Sequence, residues 1–146
     1  MTRWPKPTDA KSAQAFNELS VPGGLLPPRK VRESPRDVAY ADGPRRRLDI
    51  YRPPGGGGRA PLIVFLYGGS WRTGSKEDYP FVALPLAARG AVVVVPENRL
   101  YPEVVFPAFL NDSARAVAWA VAHAPELGTD PSRVFRRRLQ CSDARA

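Results

Sequence analysis

The sequence predicts an α/β fold in which helices cover a mostly parallel sheet. Two apolar runs, "PLIVFLY" at 61–67 and "AVVVVPEN" at 91–98, lack polar alternation, which is typical of strands buried on both faces. A helical pattern at 107–128 follows the second run, and "TDPSRVF" leads into a third strand. Together they predict a βαβαβ series, whose ligands bind beyond the C-terminal ends of the parallel strands.

The remaining elements precede and connect these strands. Residues 37–41 and 46–53 are β-prone and flank an Asp-Gly turn, which predicts a hairpin. Between the two apolar runs, residues 77–90 predict a short helix that admits Pro80 in its first turn and stops at Gly90. In the long helix, helical spacing predicts one buried stripe, formed by Leu110, Ala114, Val117, Ala118 and Val121.

Composition limits the classes of function. A chain of 146 residues is long enough for one domain with a core. One cysteine and one histidine exclude an internal disulfide and most histidine-based metal sites, so we expect neither metal nor cofactor. The N-terminus has no apolar signal region, and no apolar run reaches the ~18 residues of a membrane span. We therefore expect a cytoplasmic protein without a membrane span.

The net charge of +8 raises the question of nucleic-acid binding. The arginines cluster at 45–47 and 136–138, but neither cluster interleaves aromatic residues or matches a nucleic-acid-binding motif. A solvated surface explains such clusters better, so we expect no nucleic-acid partner.

The stretch "YGGSW", from Tyr67 to Trp71, lies at the expected C-terminal end of the first buried strand. Gly68 and Gly69 remove side chains that would keep a ligand from the backbone. Exposed N–H groups in such a turn bind a phosphate or a developing oxyanion. The spacing matches neither phosphate-binding glycine motif, which leaves an oxyanion hole or a loop without chemistry.

Four segments in order resemble the α/β-hydrolase superfamily, in its hormone-sensitive-lipase-like esterase and arylformamidase-like group. "LDIYRP" resembles its second strand, "YGGSW" its HGGG or HGGYW oxyanion loop, "ENRLYPEVVFPAFLND" its DYRLAPE segment, and "GTDPSRVF" the entry to its fifth strand. The resemblance covers about residues 39–135. It implies that Gly68, Gly69 and Ser70 form the oxyanion hole and that Tyr67 and Trp71 line the substrate pocket. Tyr67 stands where the family usually has His.

The resemblance also implies a Ser–Asp–His triad, with the serine on a G-x-S-x-G turn after the fifth strand. No such motif occurs, and the residues after Phe135 are "RRRLQCSDARA". We therefore expect no catalytic residue in this chain. His123 lies within the long helix, and we assign it to the helix surface. Arg99 and Asp112 are expected to have structural roles, Arg99 by binding loop carbonyls or nearby glutamates.

These observations divide the chain into a loose lead-in at 1–36, an N-terminal portion of a hydrolase domain at 37–135, and a basic tail at 136–146. A frameshift after Phe135 or a natural truncation with an unrelated tail would account for the tail. In the superfamily the third strand lies between the fourth and the fifth. A fifth strand cut short would leave the edge beside 61–66 unpaired and prone to aggregation.

The resulting hypothesis is a fragment of a serine carboxylesterase that acts on a small-molecule ester and is inactive in this form. An arylformamidase-like amide hydrolase fragment and a non-catalytic binding module remain alternatives. Oligomeric state is not predicted.

Overall fold

The computed structural model describes residues 35–55 and 58–138, which form one mixed sheet with helices on both faces. The predicted lead-in therefore lies almost wholly outside the described residues, as does the tail beyond Arg138. The strands are β1 (Val38–Ala39), β2 (Arg47–Tyr51), β3 (Ala60–Leu66), β4 (Val92–Pro96) and β5 (Thr129–Arg138). The helices are a 3₁₀ turn (Lys76–Asp78), α1 (Pro80–Ala88) and α2 (Ala108–Ala122).

The sheet has the strand order β1-β2-β4-β3-β5. β1 and β2 form the predicted antiparallel hairpin, and β2 also runs antiparallel to β4. β3 is parallel to both β4 and β5, so the βαβαβ series and the place of β3 between β4 and β5 are confirmed. The loops after β3 and β4 consequently emerge side by side at one end of the sheet.

Two apolar layers bury the central strands. The first lies between the sheet and α2 and contains Leu48, Leu62, Val64, Val92 and Val94. The second lies between the sheet and α1 and contains Phe65, Tyr67, Val93 and Val95. Consecutive residues of β4 thus enter opposite layers, which explains why its four valines show no polar alternation.

The predicted buried stripe of α2 is wrong. Leu110 and Val121 are 38% and 42% exposed, Ala114 and Ala118 are exposed, and only Val117 is partly buried. The face that packs on the sheet consists of Asp112, Ala116 and Ala120. Alanines let a helix approach the sheet closely, but their weak hydrophobicity and the intervening aspartate hide this face in the sequence pattern.

The expectation for the last strand is also corrected. β5 pairs with β3 from Leu62 to Leu66 and continues to Arg138, so the edge beside β3 is not unpaired. β5 itself is the edge strand rather than a strand buried on both faces: Phe135 is 53% exposed, and Arg136 and Arg137 are exposed. These two arginines therefore remain hydrated, and the fold does not bear the free-energy cost of removing their charges from water.

Within the described ranges, no helix is long and apolar enough to cross a membrane.

Candidate active-site loop

The candidate site is the loop that follows β3, residues 67–74, which we call the glycine loop. Three consecutive residues have positive φ, namely Gly69 at 134°, Ser70 at 52° and Trp71 at 61°. At Gly69 a Cβ would lie 2.1 Å from the carbonyl oxygen of Thr73, so no other residue fits without moving the backbone. The group that comes close to Gly69 is thus part of the loop's own backbone, and the approach of a ligand to Gly68 and Gly69 stays a prediction.

The glycine loop folds back on the carbonyl of Gly69. That oxygen accepts hydrogen bonds from the N–H groups of Arg72 at 3.0 Å and Thr73 at 3.2 Å. The N–H groups of Gly69 and Ser70 themselves donate no hydrogen bond within residues 35–55 and 58–138. Ser70 is exposed and Gly68 and Gly69 are half-buried, so the loop presents backbone donors at the C-terminal end of the sheet.

Tyr67, the first residue of the glycine loop, belongs to the core. It is 9% exposed, and its ring stacks on Tyr79 at 4.9 Å between centroids. A Cβ on Gly74 would come within 2.9 Å of the same ring, so Gly74 keeps room for Tyr67. The buried Tyr67 hydroxyl has no hydrogen-bond partner in the described part of the chain, and burial raises the pKa of Tyr67 above the ordinary tyrosine value.

Trp71 is half-buried and contacts an aromatic residue at the start of α2. Its ring stacks on Phe109 at 4.5 Å, and Phe106, which is 70% exposed, meets Phe109 edge-on at 6.2 Å. The Trp71 carbonyl accepts a hydrogen bond from the N–H of Tyr101 at 2.8 Å. These rings form an aromatic cluster at the residue that follows Ser70 in the glycine loop.

Asp112 is fully buried and joins three parts of the chain. Arg99 donates to it from its backbone N–H, Nε and Nη2, and Arg46 donates from Nε at 3.1 Å. Burial by itself raises the pKa of Asp112, but the hydrogen bonds from Arg99 and the charge of Arg46 outweigh it and hold that pKa below its usual value. Arg99 and Asp112 thus both have the structural role that we expected, as members of one ion-pair cluster. The partner of Arg99 is Asp112, however, rather than a glutamate.

The hairpin arginines, which the sequence assigned to a solvated surface, are partly buried. Arg46 reaches Asp112, and Arg45 reaches Glu97 and backbone carbonyls near the glycine loop. The sequence offered no spacing signal for them, because the contacts cross 29 to 66 residues. Only Arg47 fits the expectation, with a side chain that is 46% exposed.

His123 caps α2, where its ring stacks on Trp119, and it is remote from the glycine loop in the chain. Among the described residues, no group of three or more His, Cys, Asp or Glu side chains could hold a metal ion.

Residues 48–136 match the BD-FAE family model, and because this span is more than half of the sequence, the chain belongs to that family. Its relatives include carboxylesterases and a formamidase, and the described sheet is part of the α/β-hydrolase fold of solved esterases. The resemblance inferred from the four sequence segments is therefore confirmed.

Individual relatives of this chain are hydrolases that are much longer than it. Carboxylesterase NlhH of Mycobacterium tuberculosis is 36% identical over 120 residues, which are 82% of this chain and 37% of NlhH. Kynurenine formamidase of Danio rerio is 28% identical over 116 residues, 80% of this chain and 40% of that enzyme. A solved thermophilic esterase, Est2 from Thermogutta terrifontis, superimposes with a TM-score of 0.61 at 26% identity, covering 77% of this chain and 40% of Est2. The chain thus spans less than half the length of these proteins.

Proposed function

We propose that this chain is the oxyanion-binding portion of a serine carboxylesterase that hydrolyses small-molecule esters. One observation carries the proposal: the N–H groups of Gly69 and Ser70 have no acceptor among the described residues, in a strained loop directly after β3. Two such donors match the need of a tetrahedral intermediate, whose oxygen gains negative charge as the nucleophile attacks. We also propose the cytoplasm as its location.

In this scheme each loop residue has a distinct role. Gly69 and Ser70 donate to the oxyanion, and Gly68 keeps their approach free of a side chain. Trp71, with Phe109 behind it, forms one wall for the apolar part of the ester. Tyr67 supports the loop from the core.

We propose that the chain supplies no nucleophile to this site, because its sequence contains no G-x-S-x-G motif and only one histidine, which lies at the end of α2. Acyl transfer needs a serine and a base that removes its proton. We therefore propose that the chain alone does not turn over esters.

A chimera tests the proposal. Residues 1–135 of this chain replace the matching segment of carboxylesterase NlhH, and hydrolysis of p-nitrophenyl butyrate is measured. We expect activity, and we expect Gly69→Ala to lower kcat by about 100-fold or more. Its Cβ would collide with the Thr73 carbonyl and displace the donor N–H groups, with an effect like the loss of one oxyanion donor. Gly58→Ala is the matched control, because a Cβ there meets nothing within 4 Å. An active chimera that is unaffected by Gly69→Ala would refute the assignment.

Amide cleavage is the second candidate, favoured by the similarity to kynurenine formamidase. The same chimera assayed with an aryl formamide separates the two. A higher kcat/KM for the formamide than for the nitrophenyl ester would support this alternative. A folded chimera without either activity would favour a binding module.

A further inference from the structure

The glycine loop is bound at its far end by Arg45, an arginine of the β1–β2 turn, which lies at the same end of the sheet. Arg45 Nη2 donates to the carbonyl oxygen of Gly74 at 2.7 Å, and Arg45 Nε donates to the carbonyl oxygen of Asn98 at 3.1 Å. Gly74 ends the glycine loop, and Asn98 lies just beyond β4. One guanidinium thus links two loops that meet at the C-terminal edge of the sheet.

The environment of Arg45 favours this link. Its side chain is 30% exposed, and Nη2 also lies 3.2 Å from a carboxylate oxygen of Glu97, whose side chain is 12% exposed. A charge partner that is itself mostly buried reduces the cost of withdrawing the guanidinium from water. The planar fork of arginine can hold both carbonyls at once, whereas the ammonium of lysine lacks that geometry.

The backbone of Arg45 adds a second, independent observation. Its φ is 59°, in the left-handed region that residues other than glycine, asparagine and aspartate seldom adopt. Arg45 follows Pro44 in the turn of the hairpin, where a glycine would be less strained. The side-chain contacts offset the strain of this conformation.

We propose that Arg45 is a positioning residue that sets the orientation of the Gly69 and Ser70 N–H groups. The connection is short: Gly74 packs on the Tyr67 ring at the start of the glycine loop, and Thr73 donates to the carbonyl of Gly69. Movement of Gly74 therefore moves both ends of the turn that carries the two donors. This role rests on the proposed function, since it gives Arg45 its effect on catalysis.

The first test measures the order of backbone amides in the intact chain and does not depend on catalytic activity. Amide ¹⁵N relaxation is measured at Gly69 and Ser70 in the parent, Arg45→Lys and Arg45→Gly, with Val94 of β4 as the reference amide. We expect order parameters of about 0.85 in the parent and below about 0.6 at the two loop amides in Arg45→Gly, with Val94 unchanged. Arg45→Gly suits the positive φ, so the hairpin turn keeps its conformation.

The control is Arg47→Ala, which removes a neighbouring arginine whose ion pair with Asp37 is exposed. It should leave the loop amides ordered. Arg45→Lys should give an intermediate value, because it retains the charge near Glu97 but bonds fewer carbonyls. Loop amides that stay ordered in Arg45→Gly would overturn the proposal, and so would equal loss of order at Val94, which indicates a general structural role.

The second test uses the chimera with NlhH. Arg45→Gly should lower kcat by up to about 100-fold, as misplacement by about 1 Å does, with KM nearly unchanged. A rise in KM with constant kcat would overturn the positioning role. An inactive parent chimera would contradict the proposed function alone, because the relaxation experiment still decides whether Arg45 orders the glycine loop.

Discussion

Asp112→Asn should destabilise the fold strongly, because this buried carboxylate forms ion pairs with two arginines. Asp112 is fully buried and accepts four hydrogen bonds from Arg46 and Arg99. Breaking a buried ion pair on one side costs about 3–5 kcal/mol, and asparagine keeps the shape and one acceptor oxygen, so the lower figure of about 3 kcal/mol applies. A domain of about 100 residues has a free energy of unfolding of about 5–15 kcal/mol, which makes this a large fraction.

Urea unfolding followed by circular dichroism measures the effect. With a slope of about 1.5 kcal/mol/M, the loss lowers the urea midpoint by about 2 M. Asp42→Asn is the matched control, since Asp42 is exposed and its side chain forms no ion pair among the described residues. A loss below about 1 kcal/mol, close to the control, would refute the inference that the cluster is a buried charge network.

The pH dependence of the free energy of unfolding provides an independent check that the charged form of Asp112 stabilises the fold. The pKa of Asp112 is lowered in the folded state, so its contribution is fully present above the unfolded value of about 3.9 and is lost as the pH falls through the folded pKa. The stability difference between the parent and Asp112→Asn should therefore be constant from pH 5 to 7 and shrink below about pH 4. A difference that grew on acidification would contradict this assignment.

Two further predictions concern buried and exposed surface. Tyr67→Phe removes a buried hydroxyl that has no partner within residues 35–55 and 58–138, so it should leave the free energy of unfolding unchanged or raise it by about 1 kcal/mol in the same urea assay. A loss above about 1 kcal/mol would reveal a hydrogen bond of this hydroxyl. The isolated chain should increase the fluorescence of a hydrophobic dye, because Phe81, Val105 and Phe106 are 57–70% exposed. Cooperative unfolding of a monomer with a flat dye signal would contradict that expectation.

Much of the fold followed from local pattern. The two apolar runs, the hairpin turn and the helix spacing each depend on residues close in the chain, and all of these elements are present. The prediction of which face of α2 is buried was wrong. That face consists of alanines and an aspartate, whereas the larger Leu110 and Val121 are exposed. Hydrophobicity predicts burial only where the packing distance admits large side chains.

The candidate site, too, was predicted from the sequence only in part. The sequence by itself determined the α/β class, the family and the glycine loop after β3, since backbone freedom and strand burial are encoded in neighbouring residues. Only the tertiary structure decided that Gly69 must make room for the carbonyl of Thr73, that Tyr67 is in the core, and that the hairpin arginines reach Asp112 and Gly74. Those contacts join residues up to 66 positions apart, and an arginine on an exposed turn and one bound to a buried carboxylate look identical until the chain has folded.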